Sequence, residues 1–338
     1  MAISTPQTTN SAKNTPAAQK PAAKIISFSP KITLSIVLVL LIIFFAVFQP
    51  NFLTMENFVN ILRLQTVPLI LAVGMTMVVL TGGADLSIGS SLALSGILAG
   101  TMYLAGVPAV AVIAITLLAG IALGLLNGIL VGVLGMSFFV VTLGTLSGYR
   151  SLALVASEGK SIQLGDAPLF LQIGDGSLGP LPIPVLIAAI VVALGYFVLA
   201  HTSWGRKIYA VGSSREAARL AGIRVQRVLL SVYLTSGLLA ALASIIQMGR
   251  LTSASPVVGT GIELQVIAAV LLGGTIMSGG SGGLGGTVMA VLMMGVLQNG
   301  LTLSGVPDFW QGAITGTILI VAVYMDHVQR RRRGLGAV

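Results

Sequence analysis

HTSWGRKIYAVGSSREAARLAGIRVQR, residues 201–227, is the one long polar and basic stretch that lies between apolar ones. It holds Arg206, Lys207, Arg215, Arg219, Arg224 and Arg227, against a single acid, Glu216. On either side of it the chain reads as membrane. Of the 338 residues 55% are hydrophobic and 8% charged, and the mean hydropathy is +1.01, whereas soluble chains carry about a quarter charged residues. The apolar runs are too long for the core helices of a soluble domain, and too little polar sequence remains to cover them. A membrane β-barrel needs short segments of alternating apolar and polar residues, and the sequence has none. The fold class is therefore an all-α polytopic membrane protein.

Charge position supports this and sets an orientation. Fourteen of the eighteen Lys and Arg fall in three clusters, Lys13 to Lys31, Arg206 to Arg227 and Arg330 to Arg333; the rest are Arg63, Arg150, Lys160 and Arg250. A net charge of +9 spread in this way is the signature of cytoplasmic loops, not of a nucleic-acid surface. Apolar segments predict spans near 32–48, 61–80, 86–106, 108–134, 138–156, 183–200, 228–250, 262–277, 284–304 and 309–326. That is about ten, each near the ~20 residues that a bilayer core requires. An even count puts both termini on one side, and assigning that side to the cytoplasm brings all three basic clusters there. The division is then a disordered cytoplasmic tail at 1–31, a transmembrane domain at 32–328 and a basic tail at 329–338. Residues 157–182 become an external loop without strong secondary structure. A cleavable signal peptide competes for 1–48, but the apolar run is long for one and no A-x-A site follows.

Two nucleotide motifs are decoys. Gly280, Gly282 and Gly285 match a dinucleotide fingerprint, but that motif needs a preceding strand and a following acid, and here it joins two spans. Gly159-Lys160-Ser161 resembles the end of a P-loop, with Leu154 where the leading Gly belongs. No Cys is present, which removes disulfides and thiolate chemistry. His201 and His327 lie apart at span ends, so neither a haem pair nor a zinc cluster is expected.

The polar residues within and beside spans are the candidates for function. Asp85, in GGADLSIGSS, reads as an N-cap of the next helix, or as a pathway group. Asn127, Gln247, Gln298 and Asn299 lie within spans. Such amides bond neighbouring helices or exchange hydrogen bonds with a neutral polyhydroxylated solute; Asp85, Asn127, Gln247 and Asn299 are the pathway candidates. Arg250 and Glu263 fall at the external side, as caps, a local ion pair or a docking point for an external partner. Arg150 either snorkels outward or lines the pathway. Proton- and sodium-driven carriers usually place ionisable relays at mid-span, and no acid sits there. The 42 Gly concentrate most in 273–286, where they are expected to loosen a junction. No convincing internal repeat is visible, although GLLNGIL (124–130) and GVLQNGL (295–301) are alike.

The segment EAARLAG, Glu216 to Gly222, resembles the EAA-type loop of permease subunits in binding-protein-dependent ABC importers. NFLTMENFVNIL (51–62), AVGMTMVVLTGGADLSIGS (72–90), TSWGRKIYAVGSSREAARLAGIRV (202–225), GTGIELQVIAAVLLGGT (259–275) and NGLTLSGV (299–306) narrow this. In order and wording they resemble the permease subunit of ribose-type monosaccharide importers, over nearly everything after about residue 35. The chain departs from that pattern at Ala84, where an Ile is more usual, and in the glycine richness of 278–286. The resemblance implies an inner-membrane importer of a ribose-like sugar. Two permease subunits, expected to be a homodimer, form the pathway, and a periplasmic sugar-binding protein delivers the solute. A cytoplasmic ATPase with two nucleotide-binding domains drives it, so ATP and Mg belong to that partner and this chain binds no cofactor. The EAA-type loop then docks on the ATPase: Ala217, Ala218, Ala221 and Gly222 keep a surface small, with Arg215, Glu216 and Arg219 at its rim. A basic helix lying on anionic lipid is the plainer reading of the same residues. A permease for branched-chain amino acids or nucleosides is the alternative within transport; a gradient-driven carrier or a membrane enzyme is the alternative outside it.

Overall fold

The computed structural model describes residues 30–307 and, beyond them, 310, 312–314, 316, 317, 320 and 324. Twelve α-helices follow in order among the described residues: α1 Pro30–Phe48, α2 Met55–Leu80, α3 Ile88–Leu104, α4 Ala109–Gly128, α5 Phe138–Ala156 and α6 Pro168–Asp175. After these come α7 Ile183–His201, α8 Ser203–Ser213, α9 Arg215–Leu220, α10 Val225–Leu251, α11 Ile262–Leu272 and α12 Leu284–Leu303. A π-helical turn, Ile129–Val133, continues α4. Among the described residues, six helices are long and apolar enough to cross a membrane: α2, α4 with its π turn, α5, α7, α10 and α12. The chain is thus an all-α polytopic membrane protein. The predicted span 309–326 and the tails 1–31 and 329–338 lie largely outside the described residues.

Helix α10 is the axis of the bundle, packed against α2, α3, α4 and α6. It meets α4 backbone to backbone, because Gly120 and Gly124 face Gly237 and Tyr233. A methyl on Gly120, Gly124 or Gly237 would run into the main chain of the facing helix. Without a hydrophobic force between helices in lipid, small residues at a crossing let dispersion and packing hold the pair.

Helices α2 and α10 run antiparallel. The Arg250 guanidinium lies 3.5 Å from the Arg63 carbonyl at one end, Gly74 faces Ser236 midway, and the Tyr233 hydroxyl lies 3.4 Å from the Ala84 carbonyl at the other. Each is long, 26 and 27 residues, and each ends in a non-helical break, 81–87 and 252–261. A shorter helix (α3, α11) and a longer one (α4, α12) follow each break. Helix α4 packs on α10 while α12 packs on α2, and Gly124 meets Tyr233 as Gly295 meets Gln65. The two halves are therefore an inverted repeat, and the likeness of GLLNG to GVLQNG is its trace in the sequence.

The sequence reading needs correction at four places. The predicted span 262–277 is helical only over α11, whose 11 residues reach about 16 Å at 1.5 Å per residue, half of a ~30 Å bilayer core. The preceding segment 252–261 is non-helical: β4, Ser253–Ala254, pairs antiparallel with β1, Ile162–Gln163, and a run of turns follows over 256–261. The loop 157–182 is more ordered than expected. It contains β1, the amphipathic α6 packed on the end of α10, and the β2–β3 hairpin, Ser177–Leu178 with Leu181–Pro182. The polar stretch 201–227 is two helices, capped at Thr202 and Ser214 by hydroxyls accepting from the amides of Gly205 and Ala217. Finally, the glycine run near 280 is close-packed, not loose. The Gly280 amide donates to the Leu80 carbonyl at 2.9 Å, and a side chain on Gly279 would strike the backbone of Leu80 and Gly82.

Replacing Gly124 or Gly237 with Leu is expected to lower the melting temperature of the detergent-purified protein. Overpacking alone costs about 1–3 kcal/mol, and the backbone contact here leaves no room for relaxation. Gly144→Ala, on a face where an added methyl meets nothing within 4 Å, is expected to leave the melting temperature unchanged in the same measurement.

Candidate functional site

Three polar features stand out from the apolar body: the α8–α9 pair at its basic end, a buried cluster around Asp85, and a cavity toward the end that carries α6.

Helix α9 is six residues long. Ser214 caps its start, and the Ile223 amide closes it on the Ala218 carbonyl at 2.9 Å. That closure needs a left-handed residue at Gly222, φ +79°, which glycine adopts without strain. Arg215, Glu216, Ala217, Arg219, Ala221 and Gly222 are exposed. Ala218 is not: it is 4% exposed and packs into the body of the protein, so its small size serves the seating of α9. Leu220, which the sequence reading passed over, is 80% exposed at the tip. The cue was available, a lone large aliphatic residue among alanines.

Helix α8 ties this tip to the membrane body. Gly212 lies against the Leu80 carbonyl and the Gly280 amide, the Tyr209 hydroxyl donates to the Gly282 carbonyl at 3.1 Å, and the Trp204 indole donates to Ser231 at 2.9 Å. Burial pushes the Tyr209 phenol above its ordinary value, so it stays a donor. One short helix thereby touches the end of α2, the α11–α12 junction and the start of α10.

Asp85 is 2% exposed within the break after α2. Its carboxylate accepts from the Ser87 amide at 3.1 Å and hydroxyl at 2.6 Å, and from the Ser236 hydroxyl at 2.7 Å. Ser87 in turn accepts from the Asn127 amide at 2.8 Å. The expected N-cap role is therefore displaced. Asp85 closes a turn one step before α3 and bonds that turn to α10, while the Ser87 oxygen joins it to α4. Arg150 serves the other break, its guanidinium donating to the Pro256 and Val258 carbonyls at 2.6 and 2.9 Å. Its role is to hold the turn backbone of that break.

Of the remaining sequence candidates, Asn299 forms a reciprocal amide pair with Asn57, at 2.9 and 2.8 Å, which binds α12 to α2. Arg250 and Glu263 form no ion pair. The salt bridges among the described residues are Arg63–Asp175 and Lys160–Glu158. Arg250 donates to the Arg63 carbonyl, whereas Glu263 turns inward and accepts from the Gly261 amide at 3.2 Å. Gln247 and Asn299, with Arg250, line a cavity of about 480 Å³ between α2, α10, α11, α12 and residues 258–259. Asp85 and Asn127 lie apart from it.

A family model described as the branched-chain amino acid transport system / permease component matches residues 57–323. The ribose import permease protein RbsC of Escherichia coli (strain K12) is 41% identical over 295 residues, covering 86% of this chain and 92% of that protein. RbsC of Bacillus subtilis (strain 168) is 40% identical over 290 residues, 86% and 90% of the two chains. The D-allose transport system permease protein AlsC of Escherichia coli (strain K12) is 33% identical over 297 residues, 88% and 91%. No solved structure matches the chain.

Asp85→Ala is expected to destabilise the protein, because two buried hydroxyls and an amide lose their acceptor. An unsatisfied buried donor costs about 1–3 kcal/mol. Thermal unfolding in detergent, compared with Asp85→Asn, which keeps an acceptor oxygen, is expected to show the larger loss for Ala.

Proposed function

The chain belongs to the permease-component family of branched-chain amino acid transport systems, and on that premise we propose that it is the membrane-spanning subunit of an ABC importer for a monosaccharide. Its likeness to ribose and allose permeases along nearly the whole length supports a sugar over the amino acid in the family's description. The partners of this reading are a second permease copy, a cytoplasmic ATPase with two nucleotide-binding domains, and a periplasmic sugar-binding protein. ATP and Mg act on the ATPase. The setting is the bacterial inner membrane, with the basic α8–α9 end in the cytoplasm by the positive-inside rule, both termini on that side and about ten spans in all.

The observation that carries the coupling role is the seating of α8 and α9. Leu220 stands out with Ala217, Ala221 and Gly222 beside it and Arg215, Glu216 and Arg219 around it. This is the anatomy of a hot spot: an apolar anchor inside a charged rim. Helix α8 behind it holds the first break and the α11–α12 junction, so a push on α9 reaches those two places together. In this proposal Asp85 and Asn127 lock the first break as the helices swing, and Gln247 and Asn299 stand on the solute's route. Arg250, at the cavity mouth, contacts the delivery protein, while Glu263 holds the turn at Gly261.

Glu216→Lys, Gly222→Trp and Leu220→Asp are each expected to reduce ATP-driven sugar uptake in proteoliposomes at least about tenfold, while the permease still inserts; losing a hot-spot contact costs about 2 kcal/mol or more. Wild-type uptake by all three would remove α9 from the coupling path.

A further inference from the structure

We propose that the cavity between α2, α10, α11 and α12 is a binding site for a neutral polyhydroxylated solute within a single protomer, built by Gln65, Gln247, Gln265 and Gln298. This rests on the importer reading and goes beyond it, since that reading assigns no place where the solute stops. The volume, about 480 Å³, falls within the ~300–1,000 Å³ usual for small-ligand pockets.

The lining has the right chemistry and an unmet need. All four glutamines line the cavity, and none makes a side-chain hydrogen bond among the described residues. Gln65 is 3% exposed, and its Oε1 is fully buried without a partner. An unsatisfied buried amide oxygen costs about 1–3 kcal/mol; Gln65 bears that cost, and the part-exposed Gln247, Gln265 and Gln298 add free amides on the same space, so the site suits an occupant with polar groups of its own. Each amide both donates and accepts, as each sugar hydroxyl does. Pro68, also in the lining, has no N–H to offer the Leu64 carbonyl, and Leu64 lines the cavity too. No acid lines it, and its one charge is Arg250. An amino acid would leave its ammonium unpaired there, so the lining fits a neutral solute.

The inverted repeat supplies an internal comparison. Where Gly124 meets Tyr233 in the first half, the protein fills the neighbouring space with Asp85 and the hydroxyls of Ser87 and Ser236. Where Gly295 meets Gln65 in the second half, the neighbouring space is the cavity, and Thr302 is the one hydroxyl residue among the described residues of its lining. A bound sugar would bring further hydroxyls to this half.

Because the chain has no cysteine, the site can be tested in the assembled transporter with single-cysteine variants. Gln247→Cys and Gln298→Cys are expected to react with a water-borne methanethiosulfonate, and saturating D-ribose or D-allose is expected to slow that reaction at least about threefold. L-Leucine is expected to leave the rate unchanged, and Ser177→Cys, on the exposed hairpin, is expected to react at one rate under all three conditions. Gln247→Leu and Gln298→Leu are expected to raise the half-saturating sugar concentration for uptake about tenfold, in line with a lost hydrogen bond or two. Absent labelling, labelling that sugar does not slow, or equal protection by leucine would overturn the site. So would unchanged half-saturation in the leucine variants. Continued ATP-driven sugar uptake by the wild-type complex in those cases would leave the importer reading intact. A wild-type complex that moves neither sugar would overturn both.

Discussion

Every backbone amide and carbonyl inside a bilayer needs a partner from the protein, since the hydrocarbon offers none. The helices meet this demand by themselves; the two breaks at 81–87 and 252–261 cannot. The chain meets it at the first break with Asp85, whose carboxylate takes the Ser87 amide, and at the second with Arg150, whose guanidinium covers two carbonyls. These two charged groups have opposite jobs: the acid serves a bare donor and the base serves bare acceptors. Asp85, buried, and Arg150, half-buried, therefore each have a backbone role before any question of transport arises.

Much of this was legible in the sequence. Hydropathy marks the chain as an all-α polytopic membrane protein, because the energies involved are large and local. The EAARLAG stretch was legible as an exposed polar segment of a greasy chain, with Arg215, Glu216, Ala217, Arg219, Ala221 and Gly222 exposed; the burial of Ala218 within it was not. What the sequence concealed was geometry over distance. GLLNG and GVLQNG look alike, but only the antiparallel packing of α2 on α10 reveals an inverted repeat. Asn299 and Gln247 are both amides in spans; one is saturated by Asn57 and the other is not, and no local pattern distinguishes them. Glycines at 279–282 allow looseness in an unfolded chain, yet here they permit contact with Leu80 and Ser213 that any side chain would forbid.

The repeat also explains why one protein holds both a sealed polar cluster and an open polar cavity. Two halves related by inversion place equivalent polar groups near opposite membrane faces. If both positions were open, water would thread the subunit; if both were filled, solute would find no purchase. The first half satisfies its own hydroxyl and carboxylate groups, with Asn127 held to Ser87 at 2.8 Å. The second leaves its glutamines unspent. The satisfied polar cluster thus lies toward the basic end and the cavity toward the end that carries α6.

Switching that asymmetry requires the first break and the α11–α12 junction to move together, and the basic end ties those two places. Leu80 begins the first break and its carbonyl accepts from the Gly280 amide, beyond the inner end of α11. Gly212 of α8 sits on both atoms at once. Three backbones so close have no side chain between them to absorb a displacement, and packed interiors shift as units more readily than they deform. In the proposed coupling, a movement of α9 along the membrane normal would reach Leu80 and Gly280 in one step. From Leu80 it passes to Asp85 within a few residues, and from Gly280 back through α11 to Gln265 and the cavity wall. The glycines at this junction matter because they make the linkage stiff.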